Sequence, residues 1–111
     1  MPTKRDLELY ELKAGMHKAF ADPKRLIIIE ELRKGQKSVG DLTRILAIPQ
    51  AAISRHLAVL RERGVVSSRR ESTNVFYTLV DPRICDIVDT MHSLLLSRIE
   101  KSRRLVEKAV G

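Results

Sequence analysis

Soft metal ligands, disulfide partners and membrane-spanning stretches are all scarce in this 111-residue chain. Its single cysteine, Cys85, cannot close an internal disulfide, and no CxxC pair exists to hold zinc or run thiol exchange. No apolar run approaches the roughly 20 residues that a bilayer-spanning helix needs. Met1 to Tyr10 is charged and lacks the apolar core of a signal peptide, so the cytoplasm is the expected location and no membrane partner is expected. There is no Gly-rich phosphate loop, and no Ser-His-Asp or Cys-His set is placed by motif, which argues against an enzyme. Repeats and low-complexity tracts are missing too.

Positive charge is what the chain has in excess. Its 21 Lys and Arg outnumber 14 Asp and Glu, giving a net charge of +7 and a pI near 10.0. Such a balance favours a polyanion, because each phosphate neutralised releases a condensed counterion. Membrane surfaces are anionic as well, so charge alone does not choose. A chain this short has room for one domain (1–111) with a limited core. Apolar helices left over from that core need a partner.

Leu9, Leu12, Met16 and Phe20 recur at helical spacing, predicting a helix from about Lys4 to Phe20. Asp22-Pro23 caps and opens a second helix, with Leu26, Ile27, Ile29 and Leu32 as its apolar face and Gly35 beyond its end. Ser38 caps a third, short helix, with Asp41 three residues on and Val39, Leu42, Ile45 and Leu46 turned inward. Pro49, within Ala47-Ile48-Pro49-Gln50, forbids simple continuation, and a fourth helix follows with Ile53, Leu57 and Leu60 on one face. From Val65 to Val80 the residues are of strand type, with Arg70 to Asn74 as the hairpin turn. Asp81-Pro82 then leads into a long helix to about Lys108, striped by Ile84, Val88, Met91 and Leu95.

The expected fold is therefore mainly α with a small β-hairpin. Two helices joined by a tight turn (38–63) and followed by a basic hairpin (65–80) describe a winged helix-turn-helix, in the order α-α-α-α-β-β-α. An α-helix fits the major groove of double-stranded DNA and reads base edges with its N-terminal residues. Here those are Gln50, Ala51, Ser54 and Arg55. Gln pairs bidentately with adenine and Arg with guanine, so the chemistry for reading is present. Lys37, His56, Arg69 and Arg70 are placed to hold the backbone. The terminal helices (1–20 and 82–108) carry more apolar surface than one small core covers. A two-fold homodimer through Leu9, Leu12, Met16, Ile84, Val88, Met91 and Leu95 would bury it and set two reading heads about one DNA turn apart.

Ala21-Asp22-Pro23-Lys24-Arg25-Leu26, Ser38-Val39-Gly40-Asp41-Leu42, Ala51 to Leu60, Gly64-Val65-Val66 and Val75-Phe76-Tyr77-Thr78-Leu79 together resemble the ArsR/SmtB repressors. The resemblance runs from about His17 to His92. It implies a homodimer built from the first and last helices, binding an imperfect palindrome near the promoters it represses, with release by an inducer whose identity the sequence does not carry.

The family's metal sites are not kept. Where relatives have a Cys-Val-Cys-like motif, this chain has Ser38-Val39-Gly40, which offers no soft ligand. Of the site on the last helix only Asp81 remains, with Arg83, Leu94 and Ser97 in the other places. No metal or other cofactor is expected. Asp89 and His92, at i and i+3 with Asp86 and Cys85 close by, are an alternative pair of metal ligands, and a lone pair of this kind is ordinarily solvated surface. Cys85, near a positive helix end, is the one candidate for a redox role, against a small half-buried packing role. At the wing tip, where relatives have Gly-Arg, this chain has Ser72-Thr73. Two rival functions share the fold: an architectural DNA-coating protein with little sequence preference, and a protein-interaction adaptor.

Overall fold

Thr3 and Asp6 open the first helix by satisfying each other's backbone. Asp6 N–H donates to Thr3 Oγ1 at 3.1 Å, and Thr3 N–H donates to the Asp6 carboxylate at 2.9 Å. The computed structural model describes residues 1–110. Helix α1 spans Lys4–Ala19 and α2 spans Pro23–Arg33, with Asp22 capping α2 and Pro23 in its first turn, as the sequence predicts. Arg25 joins the two helices. Its Nε donates to the carbonyl of Ala19 at 2.8 Å and its Nη2 to that of Lys18 at 2.9 Å, so it closes the C-terminus of α1 from within α2. The side chain is only 15% exposed. Arg25→Ala is expected to lower stability by about 1.5–3 kcal/mol, the range for hydrogen bonds to a charged group. Urea unfolding measures this, and an unchanged midpoint would show the α1–α2 corner to be held by apolar packing alone.

The chain continues through β1 (Lys37–Ser38), α3 (Val39–Leu46), α4 (Gln50–Glu62), β2 (Val66–Glu71), β3 (Asn74–Leu79) and α5 (Arg83–Val110). The sheet has three antiparallel strands in the order β1-β3-β2, where the sequence suggested a two-stranded hairpin. Lys37 and Ser38 pair with Tyr77 and Phe76, and this puts Ser38 in extended conformation just where it must cap α3. The hairpin turn is also shorter than expected. Arg70 and Glu71 pair with Val75 and Asn74, leaving Ser72-Thr73 as the turn, with Ser72 at φ 57°. Gly64, at φ 78°, lets the chain leave α4 and enter β2.

Ala19, Phe20, Ile28, Ile29, Leu32, Leu42, Ile53, Leu57, Leu60, Val65, Val66 and Ile84 form one core. Two expected inward residues are outside it: Ile27 is 46% exposed and Ile45 48%. In the run Leu26 to Ile29, Ile28 and Ile29 take the buried phase. Ile84 is the opposite case. It was expected at the dimer surface, yet it is buried in the core of its own protomer. No described helix is long and apolar enough to cross a membrane.

Candidate nucleic-acid interface

Helix α4 is held by its inner face. Ile53, Leu57 and Leu60 are fully buried, and they fix the rotation of the helix about its axis. The opposite face is left in solvent: Gln50, Ala51, Ser54 and Arg55 are all exposed. The four predicted base-reading residues thus share one surface. Ala58 continues it one turn further on, a position missed because a small apolar residue carries no polar signal in a sequence.

The approach to α4 is tight. Ala47 adopts a left-handed conformation at φ 54°, Ile48 and Pro49 complete the turn, and Gln50 is already the first helical residue. Pro49 supplies no side-chain cap; its carbonyl accepts from the Ala52 and Ile53 N–H groups, and those of Gln50 and Ala51 are left without a backbone partner. An uncapped helix start is a natural donor set for a phosphate oxygen. The signal was present in the sequence as a proline where Ser, Thr, Asp or Asn is usual.

The backbone-contact candidates fare differently from one another. Lys37 lies in β1 and its Nζ donates to the Gly35 carbonyl at 3.3 Å, at the edge of the sheet. On β2, Arg69 and Arg70 are adjacent, and successive strand residues point to opposite faces. Arg69 donates to Gln36 Oε1 at 2.7 Å and pairs with Glu71 at 2.6 Å, whereas Arg70 has no such partner among the described residues. The structure therefore separates two arginines that the sequence grouped together, and leaves Arg70 as the available one.

His56 is half-buried on the side of α4 that meets the start of α2. Burial pushes its imidazole below the ordinary value of 6.5; Asp22 opposes this, and Arg25, Lys24 and Arg55 add to it. The shift favours the neutral imidazole over the cation. Because its folded value lies below its unfolded one, the unfolded chain takes up the proton first. The stability linked to His56 is then complete above about 6.5 and is lost as pH falls through the folded value. Denaturant midpoints from about pH 7.5 down to about 5 should fall less steeply for His56→Gln than for the parent. Parallel curves would assign the acid sensitivity to other groups.

The other candidates take on structural duties. Arg83 holds Asp81, the acid kept from the family's metal site, through both side chain and backbone, lowering its carboxyl to about 2. Asp89 is engaged by Arg33 Nη2 at 2.7 Å in a bridge from α5 to α2, and the same guanidinium donates to the Cys85 carbonyl at 3.1 Å. Asp89 therefore serves as an ion-pair partner, and Asp89 and His92 lack a third acid, histidine or cysteine to complete a metal-binding group among the described residues. Cys85 is half-buried in the first turn of α5. Of the expected dimer residues, Leu9, Leu12, Met91 and Leu95 are exposed, while Met16 and Val88 are partly buried against the core.

Residues 22–68, the segment from the α2 cap to β2, match the bacterial regulatory protein, arsR family. An uncharacterized HTH-type transcriptional regulator of Methanocaldococcus jannaschii is 39% identical over 79% of this chain and all of its own length. The transcriptional activator HlyU of Vibrio cholerae is 40% identical over 69% of this chain and 71% of its own. The crystal structure of the transcriptional repressor BigR from Xylella fastidiosa superposes with a TM-score of 0.68 at 32% identity, covering 83% of this chain and 95% of that one.

Proposed function

Because this chain belongs to the arsR family of bacterial regulatory proteins, and is a transcription regulator rather than an enzyme, we propose that it acts in the cytoplasm as a homodimeric repressor of an inverted-repeat operator. The observation that carries the reading is the exposed face of α4: Gln50, Ala51, Ser54 and Arg55 stand in solvent over a rigid base of Ile53, Leu57 and Leu60. Gln50 and Arg55 supply bidentate hydrogen bonding to base edges in the major groove, and Ala51 and Ser54 permit close approach. The open N-terminus of α4, Arg70, Lys37 and neutral His56 contact the phosphate backbone and set the register. Arg69 acts through Gln36 and Glu71 to hold the wing.

The dimeric part of the reading is supported by exposed apolar surface. Leu7, Leu9, Tyr10 and Leu12 on α1 and Met91, Leu94, Leu95, Leu96 and Ile99 on α5 are all at least 40% exposed. Exposed apolar side chains in this number on two helices favour a partner surface that covers them. The whole chain then works as one winged-helix domain, with 1–20 and 82–108 for pairing, 38–63 for reading and 65–80 as wing. Repression follows when the operator overlaps a promoter, since the dimer occupies the DNA that the polymerase needs. Titration of the purified protein against its selected site and against random duplex tests the reading. Specific binding should be tighter by about 10³ or more. Equal affinity for both would point to DNA coating, and no binding at physiological salt to an adaptor.

A further inference from the structure

The first turn of α2 holds two consecutive cations, Lys24 and Arg25, and the fold treats them differently. Arg25 turns inward to the carbonyls of Ala19 and Lys18 and lies 4.0 Å from the Asp22 carboxylate, so its charge is met within the chain. Lys24 is exposed, and its ammonium has no hydrogen bond or ion pair among the described residues. Its position also opposes the helix. A cation in the first turn faces the positive end of the helix dipole, where an acid is favoured, and the first turn of α2 holds no acid. Lys18 and Arg33, by contrast, stand in the last turns of α1 and α2, where the dipole favours them. Lys24 therefore works against the fold without a partner inside the protomer, a local conflict of the kind expected at functional positions.

The corner between α1 and α2 is docked along one flank of α4. His56 meets the start of α2, within electrostatic reach of Asp22, Arg25, Lys24 and Arg55. Seven residues on, and so on the same flank, Arg63 lies over α1 at Gly15, where a Cβ would stand 2.7 Å from its Nη1. Arg55, the neighbour of His56, is on the exposed face with Gln50, Ala51 and Ser54. Lys24 thus stands beside that face, across His56 and Arg55. The end of α2 is itself no anion site, because Asp22 already accepts from the Lys24 and Arg25 N–H groups at 2.8 and 3.3 Å. What the corner offers is the free ammonium of Lys24. A helix lying in the major groove has a phosphate backbone along each of its flanks.

We propose that Lys24 contacts a DNA phosphate along the flank of α4 that the α1–α2 corner borders, and so helps to position the reading helix in the major groove. The inference rests on α4 as the DNA-binding helix and adds a further element, α2, to the backbone contacts made by α4, β1 and the wing. The contact carries no sequence information, since operator and random duplex present the same phosphates. It also accounts for a cation kept where the helix dipole disfavours one: the phosphate supplies the counter-charge that the protomer lacks.

The test compares the parent, Lys24→Gln and Lys24→Glu in titrations of the selected operator and of random duplex over about 50–200 mM salt. Lys24→Gln should bind both duplexes about fivefold more weakly at about 150 mM salt, with the slope of log K against log salt shallower by about 0.9, the value for one phosphate. Its operator-to-random ratio should not change. Stability should move the other way. Lys24→Glu should bind more weakly still, yet unfold in urea at a midpoint no lower than the parent's, because an acid suits the first turn. An unchanged salt slope for Lys24→Gln, or a changed operator-to-random ratio, would overturn the phosphate contact. A lower urea midpoint for Lys24→Glu would make Lys24 a residue of the fold instead. A parent that binds without preference would sink the operator reading, while the slopes on random duplex still decide the role of Lys24; a parent that binds neither duplex would overturn both. Operators carrying one neutral methylphosphonate at a time then locate the partner. One position should weaken the parent and leave Lys24→Gln unaffected, and the lack of any such position would also count against the contact.

Discussion

Arg55→Ala is expected to weaken operator binding by about 1–3 kcal/mol and to relax preference at a single base pair. Arg55 stands exposed on the second turn of α4, one residue from Ser54 and on the same surface as Gln50 and Ala51. Its fold contribution is small, since its neighbour on the inner side, Leu57, makes the buried contact. A bidentate pair with guanine is lost whole when the guanidinium is removed, which explains both the size and the locality of the effect. Binding measured against operators varied one base pair at a time separates the roles. A uniform loss across all sequences, with a shallower salt dependence, would make Arg55 a phosphate contact instead.

Leu95→Glu is expected to have the larger effect on affinity. Leu95 is 55% exposed in the protomer, lines the α2–α5 groove and sits at the centre of the apolar stretch of α5. A carboxylate there must be desolvated for the copies to pair, so the dimer dissociates while the protomer core, which Leu95 does not join, stays intact. Two linked reading heads gain about 10²–10⁴ in affinity over one, and that factor should disappear from operator binding. Sedimentation and operator titration of the same sample check the two halves of the prediction. A monomer that keeps full operator affinity would remove the dimer from the mechanism.

The exposed face of α4 was legible in the sequence for a physical reason. Ile53, Leu57 and Leu60 alternate with polar residues at the helical period, so the inner face of α4 defines the outer one. Where the pattern was uniform, the phase was lost. Leu26 to Ile29 is apolar throughout, and only packing selects Ile28 over Ile27 for the core. Strand β1 is two residues long, too short to show alternation, and it exists because β3 offers an edge. Ile84 belongs to the same stripe as Val88, Met91 and Leu95, but a stripe does not mark where the protomer's own core ends. Arg69 and Arg70 look equivalent as a basic pair until strand register turns them to opposite faces. Arg33–Asp89, which ties α2 to α5, joins residues far apart in sequence and left no local trace.

On the proposed reading, the exposed face of α4 recognises an inverted repeat as part of a dimer. The most direct measurement is selection of genomic fragments by the purified protein at about 150 mM salt, followed by footprinting of whatever is enriched. The expected result is a short inverted repeat protected on both halves, with half-sites about one helical turn apart. Enrichment of nothing above random DNA, or protection of a single unrepeated site, would contradict it.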